Sequence, residues 1–142
     1  MENKMEMNLK FVKDNELIER FGKLVASERK IMHRGIEYIA EIDRRKIYLE
    51  RAYPSLFEML TKEFGYSEAS AMRRIEAARF MRELPAEDKV EFTQQLEDGT
   101  INLSQISMVQ KIAKQVHKKE HRKVSVQEKR DLMNKIEGQN MK

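Results

Sequence analysis

The side chains best suited to chemistry in this chain are its cations, and two groups of them stand out by type and spacing. Arg73 and Arg74 follow Ser67 and Ser70 within two helical turns. Arginine can bond guanine in a bidentate manner and can also contact phosphate. Serine hydroxyls at a helix N-terminus suit phosphate as well. The second group is Lys111, Lys114, Lys118, Lys119, Arg122 and Lys123. Lys111, Lys114 and Lys118 fall on one helical face, a spacing fit for following a phosphate backbone. Over residues 111–130 there are eight Lys or Arg against two acids, Glu120 and Glu128, so the basic charge gathers towards the C-terminal end.

Each group also has a plainer reading. Arg73 and Arg74 suit the solvated outer face of a core helix. A wheel centred on Ile75 sets Ala71, Met72 and Ala78 beside it and Arg73 almost opposite, which agrees with either role. Arg79 and Arg82 fall near the Ile75 side and Phe80 falls opposite, so this helix is expected to bury two sides. The lysine-rich segment equally suits a solubilising helix end or linker. Few aromatics interleave it, so no stacking platform for single strands is expected.

Other chemistries are poorly served. With no cysteine there is no disulfide, thiolate metal site or cysteine nucleophile. His117 and His121 are four apart, but the order is H-K-K-E-H, Lys118 and Lys119 repel a cation, and His33 is distant in sequence. Glu83 with Glu87, and Glu97 with Asp98, occupy turn and cap contexts and read as solvated. Nothing resembles a phosphate-cradling glycine loop or a nucleophile elbow. No catalytic residue, metal, cofactor or small-molecule substrate is therefore expected, and the chain reads as no enzyme.

The elements that must position these residues are helices. The chain has 142 residues, 37% charged and 40% apolar, with five glycines, two prolines and a formal net charge of +4. That suits one compact domain, or one plus an appendage, rich in helix formers and poor in β-branched residues. The start, MENKMEMNLK, lacks an apolar core with a cleavage site, and no apolar run approaches the roughly 20 residues that span a bilayer. A soluble, cytoplasmic protein with no membrane partner is the simple expectation.

Asp14 is placed as the N-cap of a helix running to about residue 42 or beyond, roughly 43 Å long. Ile18, Phe21, Val25, Met32, Ile39 and Ile42 fall near a heptad seam. Leu17, Leu24, Ile31 and Tyr38 run beside it, while Glu28 and Gly35 interrupt it. A helix of that length must wrap across its own domain or pair with another copy, so a homodimer is plausible. Pro54 is placed as the first residue of a second helix with Leu56, Phe57 and Leu60 inward, stopped by Gly65. Ser67 caps a third helix running to about residue 84, ended by Pro85. A fourth covers about 86–96 and stops at Gly99. A fifth starts near Asn102 or Ser104 and carries Ile106, Val109 and Ile112. Ser125 and Glu128 form a capping box for a last helix with Leu132 and Ile136. No strand alternation or internal repeat is evident. The helix over 55–64, the Gly65 turn and the Ser67-capped helix make a helix-turn-helix pattern, in which the first helix braces the second.

The run YLERAYPSLFEMLTKEFGYSEASAMRRIEAARFMRELP, followed by LEDGTINLSQISMV, resembles the helical N-terminal region of a group of bacterial HNH-endonuclease-like proteins. The most specific parts are residues 48–60 and 71–79, and KVSVQEKRDLMNKIEG is similar to that region's closing helix, so the likeness extends over about 14–142. In such proteins a ββα-metal nuclease module would follow. Its histidine cluster has no counterpart here, so the activity does not transfer. A weaker similarity links residues 67–103 to the helix-turn-helix of partition proteins, where a Ser-capped helix ends in L-P and is followed by a helix and then G-x-I-x-L. Here the capped helix is about one turn longer.

The expected fold is all-α, a long N-terminal helix plus a compact multi-helix domain with a helix-turn-helix-like unit. Its expected divisions are a flexible N-terminus over 1–13, a long helix and possible dimerisation element over 14–52, a helix-turn-helix-like domain over 53–116, and a basic segment with a C-terminal helix over 117–142. The expected function is a non-catalytic DNA-binding module on double-stranded DNA, accessory to or derived from an HNH-type nuclease. The alternative is a protein-interaction or homodimerisation module without DNA contact. Its site residues would be Ser67, Ser70, Arg73, Arg74, Lys111, Lys114, Lys118, Lys119, Arg122 and Lys123.

Overall fold

A computed structural model describes the backbone over residues 8–140 and the side chains over 8–136; of the expected flexible N-terminus, residues 1–7 lie outside it. Among the described residues the chain is all-helical, with no strand. A short 3-10 turn, Leu9–Phe11, precedes seven helices: α1 (Asp14–Arg45), α2 (Ile47–Glu50), α3 (Leu56–Glu58), α4 (Glu68–Glu83), α5 (Ala86–Asp98), α6 (Leu103–Glu120) and α7 (Val126–Asn140). The turn after α3 continues as a π-helical segment over Met59–Glu63.

Most boundaries follow from local hydrogen bonding. Ser67 Oγ accepts from the Ser70 amide at 3.1 Å and starts α4. Asn102 and Gln105 close a reciprocal capping box, both bonds 2.9 Å, which settles the start of α6 one residue after Asn102. Ser125 and Glu128 do the same ahead of α7, both bonds 3.1 Å. Gly99 ends α5 in the left-handed region at φ 83°, where a residue without Cβ is least strained.

Two expected boundaries move. Asp14 is not the cap of α1 but its first helical residue. Lys13 takes the extended cap conformation without a side-chain bond, and Asp14 with Glu16 puts negative charge in the first turn, which favours the helix dipole instead. Pro54 does not open α3, because Ser55 follows it as the cap and accepts from the Glu58 amide at 3.1 Å.

α4 is the centre of the molecule. It packs against α1 and α6, while α5 also lies on α1 and α7 on α6. The wheel of α4 has no single apolar side because both flanks are covered. Ala71, Ala77 and Ala78 are fully buried and let neighbouring backbones approach closely. Phe80 is buried and meets Phe92 of α5 with ring centroids 5.3 Å apart. Arg79 and Arg82 leave the core by pairing with Asp43 of α1, at 3.3 and 2.8 Å.

One cluster of buried residues takes Ile36 and Ile39 from α1, Ile75 and Phe80 from α4, Leu96 from α5, Ile106 and Val109 from α6, and Met133 from α7. The C-terminal half of α1 thus helps to build the common core. Its N-terminal half does not, since the only buried residues of α1 are His33, Ile36, Ile39 and Ala40. No helix among the described residues is long and apolar enough to cross a membrane.

Candidate nucleic-acid interface

The serines and arginines of the first cationic group sit on the first two turns of α4, but they do different things. Ser67 is occupied by its cap. Ser70 and Arg74 are bonded to one another, and Arg74 also donates to the Ser70 carbonyl at 3.2 Å. The Arg74 guanidinium lies over the Tyr66 ring, 4.9 Å from its centroid, so this cation is half-buried against its own protein. Arg73 is exposed and has no ion pair or side-chain hydrogen bond among the described residues. Of the pair, only Arg73 presents an unengaged guanidinium.

The second group divides in the same way. Lys114 bonds Glu76 of α4 at 2.7 Å, and Glu76 is buried. Arg122 pairs with Glu128 at 3.0 Å and Glu120 at 3.3 Å, contacts that raise its pKa further and hold Glu128 below the usual carboxylate range, where the Ser125 amide contributes most. Lys111, Lys118, Lys119 and Lys123 are exposed and have no ion pair among the described residues. The Lys114–Glu76 bond joins the two cationic groups, because Glu76 lies one turn after Arg73 on α4.

His121 closes α6 in the left-handed conformation, its amide donating to the His117 carbonyl at 2.9 Å, and His117 Nδ1 lies 3.3 Å from the Arg122 carbonyl oxygen. Among the described residues no group of three or more His, Asp or Glu is placed to hold a metal ion. His33 faces Thr93 Oγ1 at 3.1 Å, with Glu97 and Glu37 carboxylates at 3.6 and 3.8 Å from its Nδ1.

Several polar residues central to this surface carry no sequence motif. Lys129 of α7 is buried and bonds both Glu83 oxygens, at 2.9 and 2.6 Å. Together with Gln110, Lys114, His117 and Lys123 this pair lines a cleft of about 300 Å³ between α4, α6 and α7. Lys129 sits mid-helix in a run of charged residues, so only its tertiary partner distinguishes it. No protein-family model, curated protein or solved structure matches the chain.

Proposed function

We propose that this chain is a non-catalytic, DNA-binding helical module, accessory to or derived from an HNH-type nuclease and acting in the cytoplasm on double-stranded DNA. The observation that carries the reading is the uncompensated charge along the second half of α6 and the segment after it: Lys111, Lys118, Lys119 and Lys123 have no ion pair among the described residues, while Lys114 and Arg122 beside them are neutralised. A protein that leaves such lysines unpaired on one segment has a surface suited to displacing counterions from a phosphate backbone. Arg73 adds a free guanidinium near the capped start of α4. The α3–Gly65–α4 segment is the helix-turn-helix-like unit of this reading, with α3 as the brace, and the resemblance of residues 14–142 to the helical region of HNH-type proteins supports the same class.

The test is fluorescence anisotropy of a labelled duplex over a salt series from about 50 to 200 mM. Four phosphate contacts predict a slope of log K against log salt of about −3.6. The double variant Lys118→Glu/Lys119→Glu should weaken binding at least about tenfold and flatten that slope, as each lost phosphate contact removes about one unit. Arg73→Glu should weaken it comparably, while Lys89→Glu on α5 should not. Absence of duplex binding at low salt, or equal effects of Lys89→Glu and the α6 variant, overturns the proposal.

A further inference from the structure

Acidic residues recur throughout this chain except along one helix. The 21 residues over 99–119 contain no Asp or Glu, whereas no other acid-free stretch exceeds eight. Apart from its last residue, Glu120, all of α6 falls in that gap. Other helical segments carry acid–base pairs one turn apart on their solvated faces, as in Glu16–Arg20, Glu19–Lys23, Glu41–Arg45 and Glu58–Lys62. α6 has none among the described residues, so its cations are not balanced along their own helix. Ile106, Val109 and Ala113 turn its inner side to the core. Its outer arc holds Ser104, Met108, Lys111, Gln115, Lys118 and Lys119, all exposed, Met108 to 50%. None of these side chains has a hydrogen bond or ion pair among the described residues. At about 100° per residue, Ser104 and Gln115 fall on the midline of the arc, about three turns apart. Lys111 and Lys118 lie to one side of it, Met108 and Lys119 to the other, all within about 50°. The midline is neutral and both flanks carry cations.

Resting on the reading of this chain as a binder of duplex DNA, we infer that α6 is the helix that enters the major groove, with Gln115 reading an adenine. A helix with its side chains is about 10–12 Å across and the groove about 12 Å wide, so one helix fits and its flanks face both phosphate strands. Lys118 and Lys119 then straddle Gln115 and meet opposite backbones. An acid on this arc would repel those phosphates, which accounts for the gap in the acidic residues. The Gln115 amide can accept from adenine N6 and donate to N7 at once, and Met108 offers an apolar contact to a thymine methyl group. α4 is not suited to this place, because residues 75–78 are buried in succession and close its whole circumference. It braces α6 through the Glu76–Lys114 bond, and Arg73, one turn before Glu76, adds a phosphate contact.

Selection from a pool of randomised DNA duplexes, followed by anisotropy on the winning sequence, tests this with the full chain. Wild type should prefer the selected duplex over a scrambled one by at least about tenfold, with an adenine among the fixed positions. Gln115→Ala, which stays folded because Gln115 stands clear of the core, should lose about tenfold on the selected duplex and nothing on the scrambled one. Its slope of log K against log salt should match wild type, since no phosphate contact is removed. An RNA duplex of matching sequence should bind at least about tenfold more weakly, because the A-form major groove is too deep and narrow for a helix. In a dimethyl sulfate footprint, guanine N7 in the major groove should be protected and adenine N3 in the minor groove should not. Duplex binding without sequence preference, a preference indifferent to Gln115→Ala, equal affinity for the RNA duplex, or protection of adenine N3 in place of guanine N7 overturns the assignment of α6. Each of those results leaves the phosphate-binding reading standing, whereas absence of any duplex binding at low salt removes both.

Discussion

At the scale of single residues, identity alone does not decide the role of a cation. Arg73 and Arg74 are adjacent and chemically identical, yet one is free and the other is held by Ser70 and the Tyr66 ring. Arg29 is a third case. Its guanidinium packs on Gly99, where an added Cβ would stand 2.6 Å from Arg29 Cζ, and its Nη1 donates to the Asp98 carbonyl at 3.5 Å. Gly99 also has φ +83°, a region strained for any residue with a Cβ. Gly99→Ala should therefore destabilise the fold by about 1–3 kcal/mol, read as a lower midpoint in urea with an unchanged slope. The requirement for glycine was legible from its position after a helix. The guanidinium against it was not, because Arg29 is some seventy residues away in sequence.

At the scale of elements, the caps and stops were legible because each is a bond between residues three or four apart. Ser67, Asn102 and Ser125 are polar side chains whose partners lie within one turn. What local sequence does not announce is a left-handed residue with an ordinary side chain, such as Lys46 at φ 54°, which ends α1 and starts α2. Three element ends also carry the acid sensitivity of the fold. Arg44 and Arg45 hold the Glu41 carboxyl at about 2, Thr100 lowers Asp98, and the Ser125 amide with Arg122 lowers Glu128. A carboxyl whose pKa is depressed by folding adds stability above its unfolded pKa and loses it as pH falls through the folded value. Thermal stability should accordingly drop between about pH 4.5 and 2, and Glu41→Gln should make that drop shallower. A melting temperature that falls equally in wild type and variant would count against this origin.

At the scale of the whole molecule, α4 is fixed by partners on every flank, and its charged residues show it. Asp43 of α1 takes Arg79 and Arg82, Lys114 of α6 takes Glu76, and buried Lys129 of α7 takes Glu83. Removing one member of a buried pair leaves the other desolvated, while replacing the buried charge by an apolar side chain of similar length does not. Glu83→Ala should thus destabilise by about 2–4 kcal/mol, and Lys129→Met by much less, in chemical denaturation. Equal losses would mean that the α4–α7 contact is held by packing alone.

The sequence by itself determined the helical class, the caps and stops from Gly65 onward and the gathering of basic charge towards the C-terminus. Propensity, capping and composition act over a few residues, so they are written in the order of the chain. Only the tertiary structure decided which of those residues remain free. Arg79 finds Asp43 across 36 positions and Lys129 finds Glu83 across 46, and these pairings leave Arg73 and four of the lysines uncompensated. The same packing buries Ile36 and Ile39 while leaving Phe21 and Leu24 bare on the same helix. Side chains of one type and one spacing differ there only in what the rest of the fold brings against them.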